Sequence, residues 1–385
     1  MKLTLTPGIR LIPALAVCAA LLAPYTLARA EDPPKPEVSE ADKARERELL
    51  DQSFKSLEEE LKAMLEEFSR EIQAANANKI PREEWPKSPA GSFYPRFESL
   101  ALRGQPDSLR WCIGIMPSIE LPIDERNSKR DALYKCYVAQ CVDSTFTPDI
   151  IGFIATEGSP VGLGVDRVVP FLDQIAKSAK KEDVRVQAMW TKADLYRHSD
   201  KPAHSALAIA SYKALMTVYP KSAEAARAKG LVFQLERLQV GMTAPDVATV
   251  DLDGKNFKLS DTRGQVTLVL FFGSGHRATQ FLLPQFKELQ TTFKDKPFTI
   301  VGVTNDTDKD AFKKFMADAG IDWKISWQGG PQGPWIEQWG IARWPTVFVL
   351  DERGVIRLVN VEPPAIKAGV EQLFADNEAK KNAAK

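Results

Sequence analysis

Cysteine and histidine carry the most specific chemistry available to this chain, and both are scarce. The 385 residues include four cysteines and three histidines. Beyond the N-terminal segment the cysteines are Cys112, Cys136 and Cys141, and none of them belongs to a C-x-x-C pair. Cys136 and Cys141 are poorly spaced on a helix for a disulfide, which demands specific Cα and Cβ geometry. An odd number of thiols cannot all pair within one chain. We predict that all three cysteines are small residues buried in the core.

The histidines give a weak metal signal. His198 and His204 lie near a helix break, and His276 is far from both in the sequence. Zinc and copper sites need more ligands at suitable spacing, so we predict no metal and no cofactor. Thr279 follows His276 by three residues, but a threonine nucleophile needs an adjacent base, and this spacing is common. We therefore assign no catalytic residue from these patterns.

Residues 1–30 have the features of a secretory signal peptide. Lys2 and Arg10 precede an apolar run, and the small-residue motif ARA stands before Glu31. The apolar run is short and contains proline, whereas a spanning helix needs about 20 apolar residues. The residue before Cys18 is valine, which disfavours a lipoprotein signal. We predict an exported chain, in the periplasm or at the extracellular face of the envelope, with no membrane span after signal cleavage.

The composition excludes two further classes. Cleavage would remove three of the 51 basic residues and none of the 51 acidic ones, leaving a net charge of −3. This balance gives no basic footprint for nucleic acid, so we predict no nucleic-acid partner. The hydrophobic fraction of 44% is too high for a disordered chain.

Residues 31–85 combine a Pro-rich leader with an amphipathic helix. From Glu40 to about Asn78, apolar residues recur at spacings of three and four. This helix could dock onto the next domain or pair with a second copy, so a dimer through residues 40–78 is one interpretation. The segment 79–95, KIPREEWPKSPAGSFYP, is predicted to be a loop because of its prolines and Gly-Ser.

Residues 86–239 are predicted to form a mainly α-helical domain. Two of its helices are separated at YPKS, where Pro220 ends one helix and Ser222 caps the next. Stacked pairs of this size are similar to tetratricopeptide arrays, but the full repeat signature is absent, so we predict an irregular tetratricopeptide-like layer. The glycine-containing stretch EGSPVGLG, residues 157–164, follows no strand and is predicted to be a loop.

Residues 240–375 are predicted to form alternating strands and helices. The turn signals DLDG and DERG predict hairpins, and unbroken apolar runs such as VTLVLFF predict strands covered on both faces. A final helix covers PAIKAGVEQLFAD, and residues 376–385 are predicted to be a flexible tail. We expect a C-terminal α/β domain preceded by the helical region.

Several motifs of this domain resemble the thioredoxin-like superfamily, in particular the exported TlpA-type and AhpC/TSA-like redoxins. The opening of those domains is similar to the segment VGMTAPDVATVDLDGKNFKLSDTRGQVTLVLFF. WGIARWPTVFVLDERGVI resembles their cis-proline segment, which implies that Trp344, Pro345 and Thr346 form the cis-proline loop. The resemblance covers about residues 240–375 and implies an α/β thioredoxin-like fold.

The chain departs from this family at the active site. In the family, a proline follows the second cysteine of C-x-x-C by five residues. If Pro284 is that proline, the four positions of the motif are occupied by His276, Arg277, Ala278 and Thr279. Thiol–disulfide exchange requires a thiolate, which neither imidazole nor hydroxyl can replace. The unpaired N–H groups of the helix start disfavour a charged His276, so we predict a neutral ring near pH 7, which an NMR titration would test.

Three functions follow as hypotheses. The leading one is a redox-inactive redoxin domain that binds a protein or peptide partner in the envelope, with Arg277 and Trp344 at the rim of the site. The second is a domain that only supports the chain. The third is a thiol–disulfide oxidoreductase or peroxiredoxin-like enzyme that uses Cys112, Cys136, Cys141 or a partner's cysteines. On balance we lean away from an enzyme.

Tryptophan is concentrated near the third strand of this domain. We predict that these side chains belong to the core, with a groove near Pro345 as the alternative. They are Trp323, Trp327, Trp335 and Trp339.

Overall fold

The computed structural model describes residues 39–116, 119–159 and 162–383. The predicted signal peptide, Cys18 and the leader up to residue 38 lie outside these ranges. The backbone divides into two units, Met1–Glu48 and Leu49–Lys385. In the first unit the described residues begin a helix, and the Ser39 hydroxyl accepts a hydrogen bond from the Asp42 N–H at 3.1 Å. No helix within the described ranges is long and apolar enough to span a membrane.

The region before residue 239 is helical, as its apolar periodicity predicts. Its helices are α1 (Glu40–Ala77), α2 (Ala90–Ala101), α3 (Pro106–Ile115), α4 (Ile123–Gln140), α5 (Thr147–Glu157), α6 (Val165–Ser178), α7 (Glu182–Arg197), α8 (Pro202–Val218) and α9 (Ala223–Arg237). The Ser222 hydroxyl caps α9 by accepting from the Ala225 N–H at 3.0 Å. The described part of 157–164 ends α5 and then forms the turn into α6, so the loop prediction is confirmed there.

The core of the helical region joins α1 to the helices that follow it. Leu57 and Leu61 of α1 are buried with Phe93 and Phe97 of α2. This packing shows that part of the apolar face of α1 docks onto the adjacent helices, one of the two arrangements that the sequence left open.

The cysteines of the described residues are thiols, and their burial differs. Cys112 and Cys141 are buried in the helical core, as predicted. Cys136 is only half-buried and donates a hydrogen bond to the Ala101 carbonyl at 3.3 Å, so the prediction of three core cysteines is wrong for this residue.

Two boundaries differ from the sequence predictions. The loop predicted for 79–95 ends earlier, because α2 starts at Ala90 and contains Pro95. Burial of Phe93 and Phe97 compensates for the backbone hydrogen bond that a proline inside a helix removes. The tail predicted for 376–385 continues the last helix to Ala383, and an Asn377–Glu352 hydrogen bond holds this extension.

The C-terminal domain has a mixed sheet with helices on both faces. Its elements are β1 (Ala248–Val250), β2 (Asn256–Lys258), β3 (Val266–Phe272), α10 (Arg277–Thr292), β4 (Phe298–Thr304), α11 (Lys309–Ala319), β5 (Lys324–Trp327), α12 (Pro334–Trp339), β6 (Thr346–Leu350), β7 (Ile356–Val359) and α13 (Pro363–Ala383). The strand order is β5-β4-β3-β6-β7, and β1 and β2 form a separate hairpin. This is the predicted α/β thioredoxin-like fold.

The central strand β3 organises the sheet. It runs parallel to β4 and antiparallel to β6, and all seven of its residues are buried. One face of the sheet packs on Phe286 of α10, and the other packs on Trp335 and Trp339 of α12. Trp323, Trp335 and Trp339 are buried core residues as predicted, whereas Trp327 is only partly buried and packs against the core.

Candidate functional site

Three segments meet where β3 ends. Phe272 pairs with Thr304, so the residues that follow β3 and β4 leave the sheet at the same edge. β6 is antiparallel to β3, and its first residue, Thr346, pairs with Phe271. The loop before β6 therefore reaches this edge as well, and its Trp344–Pro345 peptide bond is cis.

His276 stands at the centre of this edge. It precedes the first residue of α10 and is half-buried. Its ring lies parallel to the Trp344 ring, with an interplanar angle of 3° and 5.7 Å between centroids. On the other side, Nδ2 of Asn305 lies 3.0 Å from Nε2. Because an amide nitrogen only donates, Nε2 accepts this hydrogen bond and a neutral ring carries its proton on Nδ1.

The other three positions of the His-Arg-Ala-Thr segment have different environments. Arg277 and Ala278 are exposed in the first turn of α10. Thr279 points inward, with 1% of its surface exposed, and its Oγ1 has no hydrogen-bond partner among the described residues. The segment therefore presents an imidazole and a guanidinium outward and keeps a hydroxyl buried beneath them. It contains no thiol.

Asp306 supports the turn that carries His276. Its carboxylate accepts hydrogen bonds from the Ser274 hydroxyl at 2.5 Å and from the Thr304 hydroxyl at 2.5 Å. The Ser274 N–H donates to the same carboxylate at 3.0 Å. Hydrogen bonds to a charged acceptor are stronger than those between neutral groups, so this aspartate fixes the turn between β3 and α10.

Exposed apolar and basic residues are close in the chain to His276 and Trp344. Phe281, in the second turn of α10, is 76% exposed, more than any other large hydrophobic residue in the described chain. Arg277 lies four residues earlier, on the same helix face. Arg343, next to Trp344, is also exposed. We call the surface formed by Arg277, Phe281, Arg343 and Trp344 the rim surface.

The remaining titratable residues considered as candidates lie elsewhere. Burial raises the pKa of the Cys112 thiol, and the Glu98 carboxylate adds to this shift. Burial also raises the pKa of Cys136. His198 is exposed, whereas His204 is buried. Within the described ranges no three His, Cys, Asp or Glu residues form a group that could hold a metal ion.

The sequence predictions missed Asn305, Asp306 and Phe281. The signal for the first two was present, because the polar residues TND follow the apolar run of β4. Parallel neighbouring strands end at the same edge of a sheet, so this polar group belonged beside the residues after β3. The exposure of Phe281 gave no such signal, since an apolar residue on a helix is expected to face the core.

The C-terminal domain is similar in sequence to known proteins. The family model Redoxin matches residues 239–374. The thiol-disulfide oxidoreductase ResA of Bacillus anthracis is 27% identical over 128 residues, which cover 33% of this chain and 73% of that protein. The thioredoxin-like protein YneN of Bacillus subtilis is 26% identical over 125 residues, covering 32% of this chain and 72% of that protein.

A solved structure is similar over the same share of the chain. The thioredoxin domain of a thiol-disulfide oxidoreductase from Bacteroides vulgatus is 27% identical, with a TM-score of 0.33. The match covers 35% of this chain and 96% of that domain.

Proposed function

We propose that this chain, whose residues 239–374 form a thioredoxin-like redoxin domain, acts in the cell envelope as a redox-inactive module that binds a protein or peptide. The observation that carries the proposal is the pairing of His276 with Trp344 beside Pro345. We assign His276 to the position of the family's nucleophilic cysteine. The cis-proline loop and the start of α10, which would present a substrate segment, are both in place. The segment at the start of α10 has no cysteine thiol to react with it. The pattern of residues 1–30 supports export.

The described thiols give little support for an alternative redox enzyme. A thiol attacks a disulfide only as its thiolate, and a raised pKa reduces the thiolate fraction. The pKa values of Cys112 and Cys136 are both raised by burial. Cys141 is buried in the helical core and donates a hydrogen bond to the Gly104 carbonyl at 3.2 Å. These three thiols therefore suit packing better than exchange.

The rim surface favours an extended partner segment with apolar and acidic side chains. Phe281 and Trp344 offer apolar contact area, while Arg277 and Arg343 offer positive charge. An extended peptide can align its backbone along a strand-like segment and place alternate side chains in contact with the protein. Aromatic and arginine side chains are also enriched at sites that contribute most of the binding energy in interfaces.

The redox part of the proposal is tested by a disulfide-reduction assay on insulin. The natural chain should reduce insulin no faster than the buffer. The His276→Cys/Thr279→Cys double variant should gain activity, because it restores C-x-x-C at the start of α10, where helix N–H groups stabilise a thiolate. Activity of the natural chain that is lost when Cys112, Cys136 and Cys141 are replaced by serine would refute the proposal and make the protein an enzyme.

The binding part is tested by fluorescence anisotropy with labelled decapeptides that share one apolar pattern and carry acidic, neutral or basic residues. The acidic peptides should bind most tightly, and Arg277→Glu with Arg343→Glu should weaken them at least about tenfold. Lys221→Glu with Lys294→Glu is the matched control, because it makes the same change of net charge at two exposed positions outside the rim surface. Equal affinity for all three peptide classes, or no measurable binding, would contradict this assignment.

A further inference from the structure

The helical region contains a cavity that is separate from the redoxin site. Its volume is about 550 Å³, and it lies among α5, α6, α7 and the start of α8. Ala155, Val165, Trp190 and Leu195 give it apolar walls. Largely apolar cavities of this size with a few polar groups are the usual form of small-molecule sites.

Ser199 and His204 line this cavity and are hydrogen-bonded to each other. The Ser199 Oγ lies 2.7 Å from His204 Nδ1, and His204 Nε2 lies 2.9 Å from Oδ1 of Asp166. An ionised carboxylate only accepts, so Nε2 carries the proton and Nδ1 accepts from the serine hydroxyl. The three side chains therefore form one directed chain: hydroxyl to imidazole to carboxylate.

The surroundings hold this chain in place. The His204 side chain is 5% exposed, and the Tyr196 ring packs against it edge-on with 5.0 Å between centroids. Nζ of Lys201 lies 2.5 Å from the other oxygen of Asp166, and this contact orients the carboxylate although both side chains are exposed. A nucleophile hydrogen-bonded to a base that is in turn oriented by a third group is the arrangement that activates a hydroxyl.

We propose that Ser199 is a nucleophile, with His204 as its general base and Asp166 as a positioning residue, for the hydrolysis of small carboxylic esters bound in this cavity. The Ser199 Oγ bonds to the ester carbonyl carbon while its proton passes to His204 Nδ1. The bond to the alcohol oxygen then breaks, and the alcohol leaves with that proton. Water adds to the acyl-serine through the same base, and the carboxylic acid is released.

The negative charge that develops on the carbonyl oxygen also needs a donor, and we assign this role to the N–H of Val165, which lines the cavity at the first residue of α6. The N–H of the neighbouring Gly164 already donates to the Glu157 carbonyl at 3.0 Å. The first N–H groups of a helix have no partner within that helix, and they favour a negative charge placed near them. The apolar walls indicate an ester with a short hydrocarbon acyl group.

Covalent labelling of the full-length chain with a biotinylated fluorophosphonate tests the proposal. The serine oxygen displaces fluoride from phosphorus, and mass spectrometry of peptides should locate the label on Ser199. Hydrolysis of p-nitrophenyl acetate and butyrate should show saturation, and Ser199→Ala should lower kcat/KM by about 100-fold or more. Ser205→Ala, at an exposed position one residue after His204, should label and react like the natural chain.

The pH profile separates catalysis from a structural role in the turn between α7 and α8. Asp166→Asn replaces the carboxylate that accepts from His204 with a neutral amide of the same shape, so the acidic limb of kcat/KM should move to lower pH while its plateau falls about tenfold or more. Circular dichroism establishes that each variant is folded. A label on another residue, no label at all, or an unchanged pH limb in Asp166→Asn would overturn the proposal.

Discussion

Thr279 and His276, which we assign to the two cysteine positions of the redoxin family, have different surroundings. His276 makes polar and ring contacts, with Asn305 at 3.0 Å and with the parallel ring of Trp344. Thr279 is buried, and its hydroxyl has no hydrogen-bond partner in the described part of the chain. A buried polar group without a partner costs about 1–3 kcal/mol, a penalty that a thiol, a weaker hydrogen-bonding group, largely avoids. The position beneath His276 therefore suits a sulfur atom better than a hydroxyl.

We expect Thr279→Val to raise the free energy of unfolding by about 1 kcal/mol, because valine keeps the branched shape and removes the unpartnered hydroxyl. Urea unfolding followed by tryptophan fluorescence would measure the change. Thr346→Val is the matched control, because Thr346 is also buried but donates to the Arg343 carbonyl at 2.7 Å. That variant should lose about 1 kcal/mol. A similar loss in both variants would show that the Thr279 hydroxyl is hydrogen-bonded.

At the level of elements, α9 and α12 approach each other through two glycines. A Cβ atom added to Gly230 would lie 2.6 Å from the Cα of Gly340. Gly340 ends α12 in the left-handed region, with φ of 62°. Beside this contact the Gln234 side chain donates to the carbonyl oxygens of Trp339 at 3.1 Å and Gly340 at 2.7 Å. Both features require the two backbones to be this close, and together they attach α9 to the redoxin domain.

Gly230→Ala should therefore destabilise the protein by about 1–3 kcal/mol, although alanine favours a helix more than glycine does. The added methyl group must push α9 away from α12, since the atom that it meets belongs to the backbone. Thermal unfolding monitored by circular dichroism at 222 nm would report the loss.

Gly152→Ala provides the control, because Gly152 is also inside a helix but has open space where a Cβ would lie. It should stabilise the protein by about 0.5–1 kcal/mol. If both variants are stabilising, the close contact between α9 and α12 is not required.

The elements that sequence could predict are those whose signals are local. The apolar run of β3, the turn signals between paired strands and the periodicity of α1 led to elements close to those observed. α2 could not be predicted in this way, because Pro95 inside it indicates a loop, whereas its packing against α1 and α3 depends on distant residues. The His276–Asn305 hydrogen bond depends on the register of β3 and β4, which no single segment specifies. The absence of a C-x-x-C motif was visible in the sequence, but the surroundings of His276 and Thr279 were not.

On the scale of the whole molecule, the boundary between the two regions does not coincide with the start of the redoxin pattern. The family match begins at residue 239, and the sequence predicts a boundary at residue 240. Leu238, at the end of α9, is nevertheless 2% exposed and belongs to the same apolar cluster as Trp335 and Trp339. We infer that α9 is part of the folding unit of the redoxin domain as well as the last helix of the helical region.

A fragment of residues 239–383 should consequently be less stable than one of residues 223–383. The shorter fragment loses Leu238, whose removal from a core costs about 2–5 kcal/mol, and it exposes the carbonyl groups that Gln234 satisfies. We expect a difference of at least about 3 kcal/mol in the free energy of unfolding, measured by urea titration. The Gln234→Ala variant of the longer fragment, which keeps Leu238, should fall between the two. Equal unfolding midpoints for both fragments would show that the redoxin domain is complete without α9 and that this helix serves only the helical region.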